Sequence, residues 1–228
     1  MRARRDNLKG IIVVNKPQGI TSFGVVKILR RKLKIRRIGH GGTLDPLATG
    51  VLVILAGKAT KKFQEIISYP KEYIAQIKLG ENTSTGDAQG KVIESFPQEK
   101  LDSVRREDIE EALKNFQGEV YQVPPMVSAL RYKGKRLYSL ARKNIEVERK
   151  PRKVFIYEIK LLEYHPPYFK LYIKCSRGTY VRKIAQDLGE VLGCGAHITQ
   201  ISRISVGPYH IEDALSLDEV DESKIIPL

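Results

Sequence analysis

Residues 154–175, VFIYEIKLLEYHPPYFKLYIKC, set the fold class. Val154 to Ile159 before the break, and Phe169 to Ile173 after it, are rich in the β-branched and aromatic side chains that suit a pleated, half-buried surface. His165-Pro166-Pro167 between them reads as a turn, because proline cannot donate to a strand ladder. Strands joined by so short a connection pair antiparallel; a parallel pair needs a crossover of about a dozen residues. Downstream, residues 179–192 read as a helix ended by Gly193, HITQISRISV (197–206) as another strand, and a short acidic helix follows. Upstream, Ile109, Ala112, Leu113 and Phe116 lie at helical spacing in residues 103–117, stopped by Gly118. Tyr73, Ala75, Ile77 and Leu79 alternate with polar residues in a half-buried strand, KEYIAQIKLG (71–80). A helix is expected over about 60–67, and the apolar run VLVILA (51–56) is a strand. GIIVVNKP (10–17) is a short buried strand stopped by Pro17; Thr21 or Ser22 then caps a helix reaching about Leu33, with Val25, Val26 and Leu29 on one face. Helices and strands mix without regular βαβ alternation, so the class is α+β, with a mainly antiparallel central sheet flanked by helices and loops.

The chain has 228 residues, 42% of them apolar, enough for one large domain or two small ones. Forty Lys and Arg against 26 Asp and Glu give +14, and the pI is near 9.7. A polyanion is the natural partner, and nucleic acid leads. The excess is concentrated. Residues 27–37 hold seven bases and no acid, and residues 131–153 hold ten bases against Glu146 and Glu148, so these two runs together carry +15. Residues 81–119 are acidic by contrast, with ten acids and five bases. A single run reads equally well as a solvated face; two in a chain with acidic segments elsewhere favour a binding surface. Apolar runs such as 51–56 are far too short to span a bilayer, and the four residues 11–14 after a basic start are too short for a signal peptide, so the expected location is the cytoplasm. Cys175 and Cys194, with His40, His165, His197 and His210 unclustered, suit neither a disulfide framework nor zinc. Gly57-Lys58-Ala59-Thr60 fails the phosphate-loop spacing at Leu52 and Ala59, and no dinucleotide, metalloprotease or serine-hydrolase motif occurs. No metal and no cofactor are expected.

Residues 39–50, GHGGTLDPLATG, stand out. Glycines 39, 41 and 42 let a ligand approach the backbone, and Pro46 stiffens the chain after the loop's only carboxylate, Asp45. Judged on type alone, an Asp before Pro is more often a turn former than a catalyst. Its neighbours change that reading, because the loop resembles the catalytic motif of the TruB family of tRNA pseudouridine synthases. Four further motifs resemble that family in the same order: Lys16-Pro17-Gln18-Gly19-Ile20-Thr21-Ser22; Lys71-Glu72-Tyr73-Ile74-Ala75; the stretch from Pro124 through Tyr132-Lys133-Gly134 to Tyr138; and Cys175-Ser176-Arg177-Gly178-Thr179-Tyr180-Val181-Arg182. The form Gly42-Thr43-Leu44-Asp45-Pro46 is closer to the bacterial stand-alone enzymes than to their guide-RNA relatives.

The resemblance implies a pseudouridine synthase fold, one catalytic core over 1–228 and a thumb-like RNA-binding insertion at 124–152; many family members carry a C-terminal PUA domain after that core, and here, with the sequence ending at Ile225-Ile226-Pro227-Leu228, none is expected. It implies isomerisation of uridine-55 in the T loop of tRNA after base flipping. Asp45 would be the central carboxylate, attacking the sugar C1′ or the base C6, or removing a proton to leave a glycal; the residues do not choose among these routes. Arg182 would supply a charge to Asp45. Tyr73 would stack on the target base and stand near its C5 proton, although a core aromatic is the plainer reading. His40 would take the flipped base's place, and Tyr180 and Ile201 would line the uracil pocket; Ile201 reads equally well as a core strand residue. Arg131, Lys133, Lys135 and Arg136 in the thumb, with residues 27–37, would grip phosphates of the T stem-loop. A monomer is the default. The competing expectation is a basic protein that binds and folds tRNA without chemistry.

Overall fold

The computed structural model describes residues 9–143 and 145–227. Its strands are β1 (Gly10–Lys16), β2 (Ile38–His40), β3 (Thr49–Ala56), β4 (Lys71–Leu79), β5 (Glu81–Thr83), β6 (Val92–Ser95), β7 (Gly118–Gln122), β8 (Arg131–Tyr132), β9 (Lys135–Arg136), β10 (Arg152–His165), β11 (Tyr168–Cys175), β12 (Ala196–Val206), β13 (Tyr209–His210) and β14 (Ile226–Pro227). Its α-helices are α1 (Ser22–Lys32), α2 (Phe63–Ser68), α3 (Gln98–Asp102), α4 (Arg106–Lys114), α5 (Leu137–Ala141) and α6 (Val181–Val191). The class is α+β with mainly antiparallel pairing. The residues group into two compact units: the described residues up to Tyr73 with those from Ile201 onward, and Ile74–Gln200. The chain passes between them within β4 and returns within β12.

In the first unit the strand order is β14-β1-β3-β12, with β2 on β3 and β13 on β12. Strands β1 and β3 pair antiparallel from Gly10↔Ala56 to Lys16↔Gly50. Both read as continuous apolar runs because both faces are covered. Ile12, Val14, Leu52 and Ile54 share one cluster with Val25, Val26 and Leu29 of α1. Ile11, Val13, Val51, Val53 and Leu55 form the other with Ala59, Ile66 and Val206. Of the two expected caps of α1, Thr21 is the one used, its hydroxyl accepting from Gly24 N at 2.9 Å, and the last turn carries Arg30, Arg31 and Lys32, favourable at a helix C-terminus. The helix expected at 60–67 is a 3₁₀ turn (Gly57–Lys62) followed by α2, and the acidic helix expected after β12 is two 3₁₀ turns, Ile211–Asp213 and Glu222–Lys224.

In the second unit the order is β4-β11-β10-β7. The hairpin of 154–175 forms as expected, with His165 opposite Tyr168, a cis bond between Pro166 and Pro167, and bulges near Tyr157 and Leu162. Ile156, Leu171, Ile173, Ile109, Ile184 and Leu188 are fully buried in its core. The helix expected at 103–117 begins only at Arg106, because Asp108 accepts from the Arg105 backbone N at 2.8 Å and caps it there. Residues 124–152 hold the expected short helix, α5, and also a two-strand hairpin, β8–β9, whose turn residues Lys133 (φ 46°) and Gly134 (φ 83°) are both left-handed.

Candidate active site

The Asp45 loop is fixed by side chains from three other segments of the first unit. Ser22 Oγ accepts from Leu44 N (2.8 Å) and donates to Leu44 O (3.1 Å). Lys16 is fully buried, and its ammonium donates to Pro17 O (2.9 Å), Ile20 O (2.8 Å) and Pro46 O (3.4 Å). Gly19 N also donates to Pro46 O, at 2.8 Å. The residues on both sides of Asp45 are thereby held by their main chain, and Asp45 itself is half-buried. On β12, Arg203 donates to Val51 O, Thr43 O and Gly42 O. Burial pulls the Lys16 ammonium down to about 8, against the attraction of Asp45, with Arg203 adding to the fall. Burial, then the Arg203 charge, also depress His40, against a backbone hydrogen bond with Gly42, so its ring is neutral at pH 7. Tyr73 and Ile201 are half-buried and pack on the cluster that contains Leu44. The first unit therefore gathers Asp45, His40, Tyr73 and Ile201 around one loop and one core cluster.

Tyr180 and Arg182 lie in the second unit. Arg182, on α6, is buried; its Nη1 donates to Thr85 O and its Nη2 to Val127 O, both at 2.8 Å, while Nε stands 3.7 Å from the buried Asp87 carboxylate. Asp87 is itself oriented by Thr85 Oγ1 (2.6 Å) and Gln89 N (3.1 Å). Tyr180 precedes α6, its backbone N donating to Gln122 Oε1 at 3.0 Å and its O accepting from Gln122 Nε2 at 3.4 Å. Arg182 and Gln122 thus tie the start of α6 to both the 83–87 turn and the root of the 124–152 stretch.

The four thumb cations are all exposed, but two have internal partners: Arg131 donates to Gly134 O and Arg136 to Ala129 O, bracing the β8–β9 hairpin. In the 27–37 run, Lys32 Nζ donates to Leu217 O and Asp218 O, and Arg30 to Ile38 O. Lys27, Arg31, Lys34, Arg36 and Arg37 are exposed. Sequence reading missed Arg203, Asp87 and Gln122, and gave Lys16 and Ser22 no individual role. The signal for Arg203 was a lone cation inside the strand HITQISRISV; Asp87 and Gln122 sit in polar surroundings and gave none.

The family description "TruB family pseudouridylate synthase (N terminal domain)" matches residues 30–181. The chain belongs to the TruB family. The description "tRNA pseudouridylate synthase B C-terminal domain" matches residues 182–226. Among curated relatives, the tRNA pseudouridine synthase B of Francisella philomiragia is 45% identical over 97% of this chain and 73% of its own length. That of Clostridium tetani is 44% identical over 96% and 74%. Among solved structures, a Cbf5-Nop10-Gar1 complex matches at TM-score 0.74 with 27% identity over 99% of this chain. An H/ACA ribonucleoprotein bound to a substrate RNA containing 2′-deoxyuridine matches at 0.69 with 26% identity over 96%. The chain spans 61% and 54% of those two solved chains. As a TruB-family pseudouridine synthase, the protein is an isomerase.

Proposed function

We propose that the protein converts uridine-55 in the T loop of tRNA to pseudouridine, with Asp45, Tyr73 and Arg182 as its catalytic residues. In this reaction the N1–C1′ bond breaks, the uracil turns, a C5–C1′ bond forms, C5 loses its proton and N1 ends protonated. Nothing is oxidised or reduced. The observation that carries the reading is the fixation of the Asp45 loop. Ser22 and Lys16 hold the main chain of Leu44 and Pro46, the neighbours of Asp45 on either side, and Lys16 attracts its charge, so the carboxylate is carried on a preorganised backbone.

His40, Tyr73, Tyr180 and Ile201 are assigned to substrate binding. A flat, uncharged imidazole suits the space that a flipped base leaves in a stack, and burial with the Arg203 charge keeps His40 in that form. Arg131, Lys133, Lys135 and Arg136 are assigned to the RNA backbone, within a thumb spanning 124–152. The enzyme works without metal or cofactor, as a cytoplasmic monomer.

The test is release of the C5 hydrogen from labelled tRNA, with modification mapped at position 55. Asp45→Asn should abolish release while tRNA Kd stays within about threefold. Release at the wild-type rate by that variant would overturn the assignment of Asp45. Tight tRNA binding by wild-type protein with no pseudouridine formed would make the protein a tRNA-folding factor instead.

A further inference from the structure

We infer that Arg203 is a positioning residue of this reaction, closing the Asp45 loop by gripping backbone carbonyls on both of its flanks. The inference rests on the proposed role of Asp45. The Arg203 side chain is 1% exposed, and its Nε donates to Val51 O at 2.8 Å, on the far side of the loop. Its Nη2 and Nη1 reach Gly42 O (3.3 Å) and Thr43 O (3.5 Å), on the near side. One planar group thus spans the mouth of a loop whose apex is Asp45-Pro46. Ser22 and Lys16 fix the apex from α1 and β1, and Arg203 fixes its two stems from β12.

Two glycines admit this arrangement. Arg203 pairs in parallel with Gly50, and a Cβ on Gly50 would lie 2.2 Å from Arg203 O. Gly42, whose carbonyl receives Nη2, sits at φ +125°. Guanidinium suits the task because its donors point in fixed, divergent directions and its charge is permanent. A lysine ammonium gathers its donors on one atom and lacks the spacing of the guanidinium fork. Arg203 also lowers the proton affinity of both Lys16 and His40, which places its charge beside the groups that border Asp45.

A residue that merely fills the core would alter stability without changing the rate per folded molecule. Arg203→Lys, which keeps the charge and loses the fork, separates the two roles. Single-turnover C5 hydrogen release at 25 °C should fall about 30- to 100-fold, with tRNA Kd within about twofold, because misplacing a reacting group by about 1 Å costs on that order. Arg203→Gln, whose shorter, neutral amide donates from one nitrogen only, should lose at least as much as Arg203→Lys, and it carries the test should Arg203→Lys not fold. The His40 titration, read by NMR, should move up in Arg203→Gln and stay near wild type in Arg203→Lys. Wild-type single-turnover rates in a folded variant would overturn the inference while leaving the assignment of Asp45 intact. An inactive wild-type protein would overturn that assignment instead.

Discussion

Replacing Ser22 by alanine removes one oxygen and should cost both stability and rate. Ser22 is 1% exposed, and its hydroxyl satisfies the N–H and the C=O of Leu44 together, at 2.8 and 3.1 Å. A buried hydrogen bond contributes about 1 kcal/mol net, and a buried polar group left unpaired costs about 1–3 kcal/mol. Partial relaxation will recover some of this, so the expected loss is about 2–4 kcal/mol. For a chain of this size about 2–4 °C of Tm goes with each kcal/mol, which gives a fall of about 5–15 °C. Leu44 precedes Asp45, so the lost tether acts on the carboxylate directly. Single-turnover C5 hydrogen release should drop about 10- to 100-fold at a temperature where the variant is fully folded. Urea denaturation followed by circular dichroism measures the first quantity, and labelled tRNA the second. A loss below about 0.5 kcal/mol together with a wild-type rate would refute the claim that this hydroxyl sets the loop.

The remaining predictions concern charge. Lys16 releases its proton at about 8. The neutral amine keeps two of the three donors that hold Pro17, Ile20 and Pro46, and loses the charge beside Asp45, so kcat should fall on an alkaline limb near pH 8 that Lys16→Met lacks. Stability should move the other way: the unfolded lysine keeps its proton up to its ordinary value of 10.5, so between about 8 and 10.5 the unfolded state binds more protons and folding gains as pH rises. In the thumb, neutralising Lys133 and Lys135 should weaken tRNA binding and flatten log K against log salt by roughly one unit per lost phosphate contact, with Tm unchanged. Adding Arg131→Gln and Arg136→Gln should also loosen the hairpin those side chains brace, and an unchanged salt slope would remove the hairpin from the RNA contacts.

How far the sequence disclosed this structure depended on whether burial left a pattern. Strands β1 and β3 were legible because both faces are covered and the runs Ile11–Val14 and Val51–Ala56 are apolar throughout. Strands β5 and β6 were not: Val92 to Ser95 are all exposed, so no alternation arises, and the strands are joined by backbone pairing and a surface hydrogen bond from Asn82 to Glu94. The β8–β9 hairpin has strands of two residues, too short for any period, and its turn places a lysine where glycine or asparagine is usual. At the proposed site, Asp45, His40 and Tyr73 were singled out by glycine-rich and alternating surroundings and a family likeness. Lys16 and Arg203 were opaque for a physical reason. Each is a cation buried against backbone carbonyls, and carbonyls have no side-chain identity to read. Gln122 binds a main-chain N–H and C=O in the same way.

The hydrogen bond from Arg203 to Val51 joins residues 152 positions apart. Long-range closures of this kind come late in folding, because the entropy of the intervening chain must be overcome first. Synthesis at about 5–20 residues per second leaves about 8–30 s between the appearance of Val51 and that of its clasp. A nascent chain can therefore complete β1, α1 and β3, with Ser22 and Lys16 in place at the apex of the Asp45 loop, and still leave the two stems of that loop unclasped until β12 has been made and docked.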